Sequence, residues 1–416
     1  MQPRNSVIDN LRFDCRALES FGRPWDMMSW GIGFPKHYVK SAAQLKQEAA
    51  LTISLGGGYQ IYNMQSPDRT VMDGWAIPIW AEVAEFCRER KEYCHKGEIV
   101  PDLGVIWSKK AYYNSNKGYP WLFWRDNDYN VELLGTLVAL LDTGSSVSLV
   151  NSDRLGCYDL SAYKTIVVTD LDEIESELKA ELLSYAENGG ELVLAGSRTA
   201  LLFAENLPFK ANKVNRELPI VYLQGVGYGV ELRVSYAELS GNFGAKTVFM
   251  NPCDIKGDVK CTNPPPTITV GEKKIPAFTS FGYGKGKISV IPMTIGRQYL
   301  DERTFEVRRF FEECLSDRDY VVKTCKPCEL ETVVTEKNGK RYVHLINILG
   351  EHRSWTHKSY DIVPPVNDVE VKIKSETKPK SVKIQPRNRA ANYSYENGRI
   401  IVKLDKVEIY DIIEIE

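Results

Sequence analysis

Near the start of the chain, four residues of the right types for sugar chemistry fall close together. In the stretch RFDCRALESFGRPWDMMSWG these are a lone carboxylate, Glu19, then Trp25, Asp26 and Trp30. Retaining hydrolysis of a glycoside needs two carboxyl groups about 5.5 Å apart, one a nucleophile and one a proton shuttle. The shuttle must hold its proton until the leaving oxygen departs, and burial among aromatic rings raises its pKa in that direction. The apolar face of an indole also suits the face of a pyranose ring. Read by alternation, Arg12 to Leu18 forms a short strand that ends on Glu19. Parallel βα barrels carry their catalytic groups at the carboxyl ends of strands, so such a carboxylate is well placed. The structural alternative stays open: a solvated loop glutamate, or a partner for Arg16 or Arg23.

The elements that must position these groups follow a βα rhythm. Ser41 opens a helix with a capping box to Gln44, and apolar residues recur at Ala42, Leu45, Ala49 and Ile53. After a glycine stop, a strand is expected from Tyr59 to Met64. Asp73-Gly74 then turns the chain into a second helix with Ile79, Val83, Cys87 and Cys94 on one face. The first region, residues 1–101, therefore reads strand, helix, strand, helix.

Residues 102–317 start afresh with the strand LGVIWS. A helix over Tyr129–Asp142, the strands SVSLV and KTIVVTD, a helix over Leu171–Asn188 and the strand ELVLAG follow. A β-rich excursion over residues 208–286 reads as hairpins and loops inserted into the sheet. GKISVIP and a helix over Glu302–Leu315 close the region. Continuous apolar strands between amphipathic helices predict a doubly wound, largely parallel sheet. In residues 318–416, RYVHLINIL, VEVKIK, SVKIQP, RIIVKL and EIYDIIEIE alternate apolar and polar residues, as in a small antiparallel β-sandwich. The fold class expected is α/β and multidomain.

Composition narrows the function classes. A chain of 416 residues is long enough for two to three cores, and a net charge of −2 offers no electrostatic case for nucleic acid or acidic membranes. The longest apolar runs, such as LLGTLVALL, are too short to span a bilayer, and MQPRNSVIDN lacks the apolar core of a signal peptide. Nine scattered cysteines suggest reduced thiols, and a complete chain of this kind would be cytoplasmic.

The stretch from Ala17 to Pro78 resembles the end of the catalytic barrel in the α-L-fucosidase family of retaining glycoside hydrolases. Glu19 matches the family's general acid/base, Trp25-Asp26 its Trp-Glu pair, and Trp30-Gly31 its aromatic-Gly pair, whose aromatic residue faces the sugar. Ser54 to Gly58 matches a Ser-Lys-Gly-Gly-Asn turn, Asn63 the strand-end Asn, and Asp73-Gly74 the last turn. Asp26 and Gly58 stand where the family has Glu and Asn, and NMQSPD replaces Asn-Val-Gly-Pro. The resemblance implies a glycoside hydrolase with Glu19 as acid/base and Trp25, Asp26 and Trp30 lining the sugar pocket. The family's nucleophile is an aspartate on an earlier strand, which would lie upstream of Met1. With too few residues before the second region for a whole barrel, the expectation is the truncated C-terminal part of a larger enzyme.

In the second region, YAENGGELVLAGS and GYGKGKISVIP resemble the class I glutamine-amidotransferase-like fold found in the middle domain of microbial trimeric β-galactosidases. Ser197 takes the place of the amidotransferase cysteine without a G-x-S-x-G elbow. Structural support or subunit contact is the expected role there, with a Ser197-dependent hydrolase as the open alternative. Cys325-x-x-Cys328 has no second pair to complete a zinc site, GVGYGVELR lacks the setting of a phosphate loop, and His95 falls at a helix end. The implied partners are an oligo- or polysaccharide or simpler glycoside substrate and a second copy of the chain through the α/β domain. Neither cofactor nor metal is implied. The competing reading is a non-catalytic oligomerisation and carbohydrate-binding module.

Overall fold

The computed structural model describes residues 7–31, 40–63, 74–115, 128–213, 220–225, 229–230, 235–258, 261–350 and 360–416. The expected Asp73 turn and the segment 64–73 lie outside these residues. The chain is a mixed α/β protein with several sheets, and it divides into two compact units. The first comprises Met1–Asp102, Leu140–Leu149 and Tyr320–Glu416; the second comprises Leu103–Ala139 and Val150–Asp319.

The first unit opens with α1 (Val7–Glu19), β1 (Asp26–Trp30), α2 (Ala42–Ser54), β2 (Gly58–Tyr62) and α3 (Ile77–Cys94). The strand expected over Arg12–Leu18 is instead the body of helix α1. The buried residues Ile8, Leu11, Arg12, Cys15 and Arg16 follow the helical spacing i, i+3, i+4, i+7, i+8, with two arginines occupying stripe positions. What makes this tolerable is pairing. Arg12 donates to Glu331, to Asp142 at 2.9 Å and to Asp9 at 3.3 Å. Arg16 donates to Glu331 at 2.6 Å, to the Val147 carbonyl at 2.7 Å and to the Arg12 carbonyl at 2.9 Å. Buried charges are retained only where such partners satisfy them.

The sandwich has a four-stranded sheet, Val322–Thr324, Val366–Lys374, Arg399–Val407 and Asn392–Glu396 in spatial order. Opposite it, a six-stranded sheet runs Arg389–Ala390, Val382–Gln385, Tyr410–Ile415, Lys340–Asn347, Leu330–Lys337 and Glu98–Ile99. Side chains alternate across a strand, and here both faces are buried. Val334, Val343, Leu345 and Ile413 pack toward the four-stranded sheet. Val333, Tyr342, Ile346 and Ile412 pack against Leu11, Leu45, Ala49 and Phe86 of the three helices. On the helix-facing side, His344 is fully buried. Its Nε2 bonds Thr335 Oγ1 at 2.9 Å and its Nδ1 bonds Tyr410 Oη at 2.6 Å, while Tyr410 Oη meets Cys94 Sγ at 3.1 Å.

In the second unit the core is a ten-stranded sheet. From Gly286–Ile291 through Glu191–Ala195 and Thr165–Val168 to Leu103–Trp107, neighbouring strands are parallel. Three of these four strands are buried at every residue, as expected of a sheet covered on both faces. On the other side, Ile275–Tyr283, Lys246–Lys256, Val221–Leu223 and Gly229–Val230 continue the same sheet with antiparallel pairing. The sheet is therefore mixed rather than largely parallel, because the excursion supplies strands to it. The expected closing helix is Phe305–Cys314, and a shorter helix, Gly296–Glu302, precedes it; Arg303 between them adopts the left-handed region at φ 51°.

Candidate carbohydrate-binding site

The N-terminal part of the first unit forms a β1–α2–β2 crossover. Strands β1 and β2 pair in parallel, with Asp26 opposite Gly58 and Trp30 opposite Tyr62. The expected capping box starts α2: Ser41 Oγ accepts from the Gln44 N–H, and Gln44 Oε1 accepts from the Ser41 N–H, both at 3.2 Å. Helix α2 buries Leu45, Ala49 and Ile53 in the core that also receives Met27, Tyr59 and Ile61 from the two strands. Strand parity then turns Asp26, Met28, Trp30, Gln60 and Tyr62 to the other, exposed face.

At the carboxyl end of that face, the Trp30 and Tyr62 rings lie 5.7 Å apart at 57°. They are 43% and 41% exposed, a high value for large aromatic residues. The next residue, Gly31, donates its N–H to the Tyr62 carbonyl at 2.7 Å, and a Cβ there would meet Ile61 Cγ2 at 2.8 Å. A glycine after Trp30 thus lets the two strands close at this point. Together the rings make an open aromatic corner suited to an apolar sugar face.

The other expected site residues lie elsewhere. Glu19 is the last residue of α1, and its carbonyl accepts the Gly22 N–H at 2.8 Å. It precedes the amino end of β1, whereas Trp30 ends that strand, so the argument that placed Glu19 at a strand's carboxyl end fails. Trp25 is half-buried against the core: a Cβ on Gly57 would lie 2.3 Å from its ring. Asp26 begins β1 and accepts a hydrogen bond from Gln60. Four residue steps of strand, roughly 13 Å, separate it from Trp30. Of the four residues only Trp30 stands at the carboxyl edge, and Tyr62, which sequence reading passed over, joins it. The signal for Tyr62 was its position, one residue before Asn63 at the end of a strand.

In the second unit, Glu191–Ala195 leads through Gly196 (φ 145°, ψ 148°) into a short helix beginning at Ser197. A Cβ on Gly196 would lie 2.4 Å from Asp170 Oδ1. That oxygen accepts the Arg198 N–H at 2.7 Å, and the Arg198 side chain folds onto the same carboxylate. The chain's own Asp170 therefore occupies the N–H groups where a hydrolase of this shape would stabilise an oxyanion. Nearby, Glu132 accepts from the N–H groups of Ile295, Gly296 and Arg297 at 2.8–3.0 Å, and burial pushes its carboxyl up to about 7 despite these bonds.

Among the described residues no group of His, Cys, Asp and Glu could hold a metal ion, and no helix is long and apolar enough to cross a membrane. Neither Cys325 nor Cys328 is in a disulfide; Cys325 Sγ accepts the Glu370 N–H at 3.1 Å, and Cys328 Sγ faces the Asp142 carbonyl at 3.6 Å. His95 is the C-cap of α3.

No protein-family model and no curated protein sequence matches the chain. Solved structures do. The α-L-fucosidase isoenzyme 2 from Paenibacillus thiaminolyticus matches over 100% of this chain and 64% of its own, with a TM-score of 0.78 at 14% identity. A GH42 β-galactosidase from G. stearothermophilus matches over 98% of this chain and 56% of its own (TM-score 0.62, 15% identity). The β-galactosidase of the haloarchaeon Halorubrum lacusprofundi matches over 98% and 55% (TM-score 0.60, 14% identity). At such identities the likeness is one of fold, a multidomain fold shared with glycoside hydrolases. The chain spans less than two thirds of each of these structures.

Proposed function

We propose that the chain is the C-terminal part of a glycoside hydrolase of the retaining, α-L-fucosidase-like kind, acting on O-glycosidic bonds. In this reading β1 and β2 are the last strands of its (β/α)8 barrel, and the second unit is an amidotransferase-like domain through which copies associate. The observation that carries it is the exposed Trp30–Tyr62 corner at the carboxyl edge of a parallel crossover, in a chain whose whole length follows glycosidase folds. A two-stranded parallel pair with one face exposed is foreign to complete sheets of this type; further barrel strands would cover it.

Trp30 and Tyr62 then line the sugar site. Glu19 has no role in the proposed chemistry, because it lies toward the amino end of β1. The described carboxyl ends of β1 and β2 bear no Asp or Glu, so the nucleophile and the acid/base belong to other strands. The test is to read the coding frame upstream of Met1 and assay the encoded polypeptide on aryl α-L-fucosides and β-D-galactosides. An open frame with further βα units and hydrolysis that falls on Trp30→Ala supports the reading. A closed frame and an inert protein would sink it and favour the non-catalytic binding and assembly module.

A further inference from the structure

The β-rich excursion of the second unit carries one strand that the sheet does not enclose. Thr267–Val270, with the sequence TITV, is exposed at every residue, and Ile268 and Val270 are 48% and 49% exposed. Among the described strands it pairs only with Lys246–Lys256, antiparallel, with Cys253 opposite Val270 and Ile255 opposite Ile268. Directly opposed residues share a face, so Cys253, Val270, Ile255 and Ile268 make one apolar face. Asp254, Lys256, Thr267 and Thr269 make the polar one.

The phase of this ladder tells which backbone groups remain for a partner. The Gly271 N–H donates to the Pro252 carbonyl at 2.9 Å, and inward and outward residues alternate along an antiparallel strand. Gly271, Thr269 and Thr267 therefore turn their backbone groups toward the neighbouring strand. Ile268 and Val270 turn theirs to the free edge. Soluble proteins usually guard such an edge with a charge inside the strand; TITV has none. Its limit is set instead by Pro264, Pro265 and Pro266, which precede it and have no N–H to give. Within the strand, donor and acceptor are thus offered together at Ile268 and Val270, placed symmetrically about Thr269.

That symmetry makes the strand its own complement. A second copy, turned about a two-fold axis at Thr269, sets its Val270 against Ile268 and its Ile268 against Val270, and each outward N–H meets a C=O. Thr269 then faces Thr269, a favourable cross-strand pair. The apolar rows join across the axis, with Cys253 and Val270 of one copy continuing into Ile268 and Ile255 of the other. Beyond the ladder, Pro264 to Pro266 of one copy come beside Glu272 to Lys274 of the other, so no like charges meet. We propose that Thr267–Val270 is the edge along which two copies of this chain join their sheets. The contact is isologous and closes on itself, so it gives pairs rather than fibres. With a strand of 4 residues on each side, it is smaller than a standard stable interface, and the pair should depend on concentration. The proposal rests on the reading that copies associate through the second unit, and it names the surface.

The experiment is sedimentation velocity on the 416-residue chain over a concentration series, in which monomer should give way to dimer. Only a two-fold axis at Thr269 puts that residue opposite itself. Thr269→Lys and Thr269→Glu should therefore each weaken the dimer at least about tenfold. Mixed in equal amounts, the two variants should pair again, because each lysine then meets a glutamate. Thr269 is exposed, so both variants should keep the wild-type Tm. Ile268→Ser, which shortens the apolar row without adding charge, should weaken the pair as well. If both charged variants associate as the wild type does, copies meet on another surface; the proposal falls while association through the second unit stands. It falls also if the separated variants are monomeric and mixing them restores nothing. A chain that stays monomeric at every concentration sinks the proposal together with the association of copies, and leaves the glycosidase reading untouched.

Discussion

Arg16 and Glu331 lie 315 positions apart in sequence and form a hydrogen-bonded ion pair of 2.6 Å in the interior of the first unit. The same carboxylate holds Arg12, so one glutamate in the sandwich bridges both arginines of α1, with Asp142 and Asp9 adding their charge at Arg12. Burial alone would raise the pKa of Glu331, but the guanidiniums of Arg16 and Arg12 outweigh it and hold the carboxyl below its usual range.

Removing that carboxylate should therefore unfold the first unit readily. Glu331→Gln takes from buried Arg16 the carboxylate it pairs with and leaves Arg12 to Asp142 and Asp9; breaking a buried pair in this way costs about 3–5 kcal/mol. Urea denaturation is the check, with a midpoint close to wild type counting against the staple. The sign with pH follows from the depressed pKa. This stabilisation is complete above the ordinary carboxylate pKa and is lost as pH falls through the lower folded value.

His344 titrates differently. Its imidazole is fully buried between Thr335 and Tyr410, and burial lowers its pKa to about 3. The unfolded chain takes up a proton near pH 6.5 that the folded chain refuses, so stability declines as pH drops from there toward 3. Between neutral pH and pH 4.5 the loss should be about 3 kcal/mol. His344→Gln should flatten that slope in denaturation curves recorded across the range. An unchanged slope would mean that His344 is protonated in the fold.

For the proposed sugar corner, Trp30→Ala should lower activity or sugar affinity at least about tenfold while shifting stability by under about 1 kcal/mol, because the ring is largely exposed. Glu19→Gln should leave kcat/KM within about twofold of wild type. A large loss on Glu19→Gln would restore the acid/base role that its place on α1 argues against.

Gly196→Ala should destabilise the second unit by several kcal/mol. Its φ of 145° belongs to a region almost confined to glycine, and the added Cβ would collide with Asp170. Thermal unfolding would show it; a Tm within a degree or two of wild type would mean that the strand-to-helix turn relaxes freely.

How far the fold could be read from sequence depended on whether the deciding partners were local. The capping box of α2 and the buried strands ELVLA and TIVV declare themselves through neighbours a few residues away, and they appear where expected. Helix α1 does not. Phe13, Cys15 and Ala17 alternate as in a strand, while the true stripe contains Arg12 and Arg16, whose burial makes sense only beside Glu331 and Asp142. The same slip carried Glu19 from a helix end to a supposed strand end. The hairpin pairing inside the excursion, Lys246–Lys256 with Ile275–Tyr283 and Val221–Leu223, matches its β-rich reading; that these strands extend the parallel sheet depends on Ile275–Tyr283 pairing with Gly286–Ile291. Trp30 drew notice through its aromatic-Gly sequence, but the strand it ends, Asp26–Trp30, was not expected. Tyr62 needed the register that sets it opposite Trp30.

The Arg12–Glu331 pair also bears on synthesis. When α1 leaves the ribosome, the carboxylate that bridges Arg12 and Arg16 lies 319 residues behind Arg12. At common translation rates that interval is roughly 15–60 s. Throughout it α1 cannot bury its charged stripe, and the sandwich strands that cover α2 and α3 do not yet exist. The second unit, encoded between these segments, has all its strands available first. A nascent chain arrested before residue 331 should therefore hold a protease-resistant second unit and a still-digestible N-terminal segment, to which a chaperone could bind.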